Sequence, residues 1–127
     1  MKRNLPVLAL FIVLFSGCKK DHGEAPDTTP PVIMLISPSN NQGFALGQSI
    51  SIVASISDQS KIEEIHLEII NATTGAFLIH EHYVPDSSIY KLASSYTAAS
   101  AATYKIKVEA DDAKGNSSET EVSVKVN

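Results

Sequence analysis

Four histidines and fourteen acidic residues carry most of the reactive chemistry in this 127-residue chain, which has one cysteine and no tryptophan. His80-Glu81-His82 puts two imidazoles on one side of an extended segment, because residues i and i+2 of a strand share a face. If Asn71 to Gly75 closes a hairpin that pairs Ile70 with Ala76, His66 lies opposite His80 and Glu64 opposite His82. Glu64, His66, His80 and His82 are then a nitrogen-rich donor set of the kind zinc takes. The same residues also suit a solvated strand face, on which cross-strand Glu–His pairing adds a little stability.

A second set is all oxygen. Asp27, Asp58, Asp111 and Asp112, with Asn116 as a neutral donor, sit where extended segments end. Calcium takes six to eight oxygens and is suited by carboxylates gathered on loops. Turns favour Asp and Asn for their own reasons, so turn chemistry is the competing account of the same residues.

Catalysis finds little to stand on. The chain has no Gly-x-Ser-x-Gly elbow, no His-Glu-x-x-His helix and no glycine-rich phosphate loop. Its serines alternate outward along strands. The pairs Glu63-Glu64 and Asp111-Asp112 are sequence neighbours, which on a strand point to opposite faces. The expectation is a non-catalytic protein without a cofactor. Sugar stacking would fall to Tyr83, Tyr90, Tyr96 and Phe44, which a small sandwich more often spends on its core. The formal charge is −4, with no basic stripe. Nucleic acid is excluded as a partner, because phosphate neutralisation dominates that affinity.

The N-terminus has its own logic. Lys2 and Arg3 precede an eleven-residue apolar run, Leu5 to Phe15, and Ser16-Gly17 lead into Cys18. The run is shorter than the roughly 20 residues with which a helix crosses a bilayer, so it reads as a signal over residues 1–17 rather than an anchor. A generic secretory signal cut elsewhere is the alternative. Leu14-Phe15-Ser16-Gly17-Cys18 resembles a bacterial lipobox, with Phe15 departing from the usual leucine. That resemblance implies acylation of Cys18, with palmitate among the chains, and attachment to the outer membrane of a bacterial cell envelope. A lone cysteine has no disulfide partner, which fits an anchor better than a bridge. Residues 18–31 are polar, contain three prolines and read as a tether. Charges just after Cys18 resemble the surface-export signals of Bacteroidetes-type lipoproteins.

From residue 32 to 127 the hydrophobic period is two. Ile50, Ile52, Ala54 and Ile56 alternate with serines, and Ile65, Leu67 and Ile69 alternate with Glu64, His66 and Glu68. Val32 to Ile36, Phe77 to Val84 and Ile89 to Thr97 add three strands. Tyr104 to Ala110 and Val122 to Val126 close the series across a Lys114-Gly115-Asn116 turn. Ala98 to Ala102 has room for one helical turn. About seven short strands in one domain predict an all-β fold, an immunoglobulin-like antiparallel β-sandwich.

Asp27-Thr28-Thr29-Pro30-Pro31-Val32-Ile33 resembles the linker and first strand of bacterial Ig-like domains. So do Ala54-Ser55-Ile56-Ser57-Asp58 and the stretch from Tyr104 through Ala110-Asp111 to Gly115-Asn116. The resemblance implies a tyrosine corner at Tyr104, its hydroxyl bonded to nearby backbone, and one pole at which Asp27, Asp58, Asp111, Asp112 and Asn116 meet. Lipobox, tether and single domain together resemble uncharacterised Bacteroidetes-type lipoproteins. They imply an envelope interaction or accessory module with an unknown protein or glycan partner. A metal-dependent adhesion or glycan-binding module is the alternative.

Overall fold

The computed structural model describes residues 23–127. The signal, and Cys18 with it, lies outside the described residues. Seven strands follow one another: β1 (Val32–Ser37), β2 (Gln42–Phe44), β3 (Ser49–Asn71), β4 (Phe77–Tyr83), β5 (Ser87–Thr97), β6 (Ala102–Asp112) and β7 (Ser117–Val126). The fold is all-β, with no helix among the described residues. Ala98 to Ala102 forms a bend rather than the helical turn its alanines allowed.

The organising element is β3, which runs for 23 residues through both layers. Its first half, Ser49 to Ser57, pairs antiparallel with β1 on one side and β5 on the other. Its second half, Ile62 to Asn71, pairs with β4 and β6. Between them the register breaks, and Asp58 to Lys61 forms a corner at which the strand leaves one layer for the other. Sequence periodicity suggests two separate strands here. The phase of burial explains why: even-numbered Ile50, Ile52, Ala54 and Ile56 point inward before the corner, and odd-numbered Ile65, Leu67 and Ile69 after it. One pivot residue changes the phase without ending the strand.

The hydrogen-bonded path continues β1-β3-β6-β7-β2, with β4 and β5 joining on β3. Strand β2 escapes a periodicity reading because it is three residues long and pairs parallel with β7, Gln42 opposite Val124 and Phe44 opposite Val126. Its contribution is Phe44, a buried plug over the end of β7.

The core lies between the layers. Ile52, Ile56 and Leu92 from one side meet Leu67, Ile69, Ile106, Val108 and Val124 from the other, all without solvent contact. Each such side chain contributes roughly 1.5–3 kcal/mol on burial, which is the main reason these alternating segments commit to this register. The outer faces differ sharply in chemistry. Val32, Met34 and Ile36 stand exposed on β1. The outer face of β3, β6 and β7 instead carries Glu68, Lys105, Lys107, Glu109, Glu119 and Glu121 in an ion-pair ladder.

Candidate functional site

His66, His80 and His82 meet on that charged face, joined by Glu64 and Glu68. Alternation fixes this: Glu64, His66 and Glu68 occupy the outward positions of β3, and His80 and His82 those of β4. The pairing partners are His66 with His82 and Glu68 with His80. The expected register, His66 opposite His80 and Glu64 opposite His82, is therefore corrected by two residues. One residue comes from the turn, where Ile70 meets Phe77 rather than Ala76. The other comes from a bulge, since Ile69 meets Ile79 and leaves Leu78 extra. Two one-residue slips restore the face, so the four predicted ligands still share it. Asn71 stabilises this turn by accepting from the Thr73 and Thr74 amides through Oδ1, and Gly75 takes the positive φ of 75° that closes it.

Distances on this face are short. Nε2 of His66 is 3.4 Å from Oε2 of Glu64, and Nε2 of His82 is 3.6 Å from its Oε1. His66 and His82 stack at a centroid distance of 4.8 Å and an interplanar angle of 16°. Nδ1 of His66 faces Nε2 of His80 at 3.2 Å, and His80 in turn lies 3.9 Å from Glu68. Glu64, His66 and His82 each offer a ligand atom within 4.8 Å of the others. His80 stands one step back, behind His66. Glu68 and Lys107 were not singled out by sequence, although Glu68 continues the alternation of Glu64 and His66. Hydrogen bonding to Glu68 leads the causes that raise the Lys107 ammonium above its ordinary value, against burial and with Glu109 and Glu119 assisting. Lys107 thus stays a cation and is held at 2.9 Å by Glu68.

At the pole, Asp27, Asp58 and Asp112 converge within 4.8 Å, with Asn116 beside them. Asp111 does not join them. It neighbours Asp112 on β6, so alternation turns it to the opposite face, where it pairs with Glu64 of β3. Asp112 is buried and takes the Lys114 and Asn116 amides on Oδ1 and the Asn116 side chain on Oδ2, all within 2.8 Å. Burial pushes its carboxyl up, but these donors together hold it below the ordinary carboxylate value. Asp27 accepts from Ser60, Thr29 and Gln59, and the Ser60 hydroxyl is the main cause of its lowered value. Asp58 accepts from the Ser60 amide.

These contacts tie the incoming segment to the domain. Asn116 bridges Asp112 to the Asp27 carbonyl, and Ser118 donates to the Pro31 carbonyl. Residues 27–31, placed in the tether by sequence, are thus docked on the corner of β3 and the β6–β7 turn. A shallow groove of about 650 Å³ runs between them, lined by Glu24, Asp27, Gln59, Ser60 and Lys114 among others. Asp27→Ala is expected to release this segment. Hydrogen exchange at the Thr29 amide should quicken while the strand amides keep their protection, and unchanged exchange there would count against the latch.

Tyr104 forms the expected corner. Its hydroxyl donates to the Ser100 carbonyl at 2.7 Å from a buried ring. Phe44 is buried, and Tyr83, Tyr90 and Tyr96 pack partly buried against the core. Desolvation and a hydrogen bond to Glu81 push the Tyr83 hydroxyl up to about 12. None of the four offers a flat exposed ring.

Two layers, a strand that crosses between them and a tyrosine corner define an immunoglobulin-like, fibronectin-III-like β-sandwich. Among solved structures, a fibronectin(III)-like module of Clostridium thermocellum CbhA superposes with a TM-score of 0.52 at 20% identity, covering 75% of this chain and 94% of that one. A superoxide reductase (neelaredoxin) of Ignicoccus hospitalis gives 0.52 at 12% identity, over 77% and 80%. At such identities the likeness is one of fold. No curated protein matches the sequence. The chain belongs to the DUF4625 family, a domain of unknown function, which it matches over residues 16–127.

Proposed function

We propose that this protein is a non-catalytic interaction or accessory module of the bacterial cell envelope, held to the outer membrane by acyl chains on Cys18. The observation that carries the reading is the attachment of the leading segment. Asp27 to Pro31 are fastened to one end of the sandwich by Asn116, Ser60 and Ser118. A domain held at that end presents its far end and its outer faces away from the anchor. Two or more acyl chains hold a protein firmly, whereas one gives only marginal, reversible binding. The partner is a protein or glycan rather than a nucleic acid, given the chain's net charge of −4.

Cys18→Ser is expected to move the protein from the membrane fraction to the soluble one. A variant that still sediments with membranes would remove the anchor from this reading. Protease treatment of intact cells, with a periplasmic marker, then separates two versions. Digestion places the domain on the cell surface and favours adhesion, and protection favours a role within an envelope assembly.

A further inference from the structure

We propose that Glu64, His66 and His82 form a binding site for a zinc-class divalent ion, with His80 as the residue that positions His66. The inference stands apart from lipid anchoring and from the choice of partner.

Donor geometry comes first. Four ligands about 2.1 Å from a tetrahedral centre lie about 3.4 Å from one another. The Glu64 carboxylate already stands 3.4 Å from Nε2 of His66 and 3.6 Å from Nε2 of His82. Closing on an ion asks only that the stacked imidazoles, now 16° from parallel, rotate so that their lone pairs converge. His82, whose side chain is 45% exposed, is free to do so. Two imidazoles and one carboxylate suit zinc, whereas calcium and magnesium prefer all-oxygen shells.

The supporting shell is also present. A metal-bound imidazole commonly commits its other nitrogen to a hydrogen bond that fixes tautomer and ring orientation. For His66 that partner is His80, at 3.2 Å from Nδ1. The ligands stand on paired strands rather than loops, with His66 and His82 fixed opposite each other by the ladder. Electrostatics favour a cation. Asp111 pairs with Glu64, Glu68 and Glu109 lie on the same face, and the Lys107 charge is taken up by Glu68 and Glu109. Three protein ligands on an open face leave the fourth position to water or to a donor from a partner.

The test uses the full chain purified in detergent and Zn²⁺ alone, followed by calorimetric titration and thermal melting. One ion per chain is expected, with Tm raised by about 10 °C once free zinc stands about 100-fold above its dissociation constant. His66→Ala and His82→Ala should each abolish the shift while the metal-free variants melt as the wild type does. His80→Ala should bind about 10- to 100-fold more weakly, as a lost outer partner does. Asp58→Asn, at the opposite cluster, should bind normally. Absence of binding, or binding that survives the His66→Ala/His82→Ala double variant, would overturn the site. Equal loss in Asp58→Asn would overturn it too, by moving the ion to the pole.

Discussion

Tyr104→Phe is expected to cost about 1–2 kcal/mol of stability and Tyr104→Ala about 3–5 kcal/mol. The two numbers separate the hydroxyl from the ring. The hydroxyl donates to the Ser100 carbonyl at 2.7 Å and lies 3.1 Å from the Ser100 hydroxyl, so phenylalanine deletes the donor and leaves a half-buried carbonyl without its partner. The ring is 1% exposed and meets Tyr96 edge-on at 5.8 Å, so alanine also opens a cavity beside Val124, its pairing partner on β7. Against a total stability of 5–15 kcal/mol, the alanine variant approaches the limit at which a domain this small stays folded. Urea unfolding measures both. Tyr96→Phe is the control, because its ring is only partly buried, and should move stability by no more than about 0.5 kcal/mol. A Tyr104→Phe protein that unfolds with the wild type would mean the corner is held by ring packing alone.

Tyr104 was legible in advance because its place depends on a pattern that survives in the sequence, an inward position at the start of a strongly alternating strand. The same holds for the core, where Ile50, Ile52, Ala54 and Ile56 announce their face by their spacing. Features that depend on pairing between strands were less legible. The His66–His82 register came out two residues from its expected place because neither the closing residue of the turn nor a bulge at Leu78 leaves a compositional mark. The face survived because two slips cancel. Asp111 shows the opposite outcome. Grouping it with Asp112 rested on loop proximity, but both residues are still within β6, and inside a strand neighbours part company. Strand β2 was invisible for a third reason: three residues paired in parallel have too few alternations to read.

Asp112→Ala is expected to destabilise the domain by about 2–4 kcal/mol, since hydrogen bonds to a buried charged acceptor are worth more than neutral ones and their donors would be left unpaired. One carboxylate organises the whole β6–β7 turn. It takes the amides of Lys114 and Asn116 while its own backbone closes the loop with Asn116 and Gly115, the latter at a positive φ of 84°. Its second oxygen fixes the Asn116 side chain, which in turn holds the Asp27 carbonyl. Loss of Asp112 should therefore loosen the turn and the docked segment 27–31 together. Asp112→Asn keeps the shape but sets an amide donor against the Asn116 donor, so it should fall between alanine and wild type. The pH dependence follows from the sign of the shift. Burial raises the Asp112 carboxyl and its donors more than compensate, leaving it below the ordinary value in the folded state. A lowered folded value means that the stabilisation is complete above the unfolded pKa, near 4, and is lost as pH falls through the folded value. Asp27 is lowered as well and acts in the same direction. Urea unfolding of wild type and Asp112→Asn at pH 7 and pH 3 should thus show a gap that narrows in acid. A gap of equal size at both would show that the turn is held by the backbone, with the carboxylate a bystander.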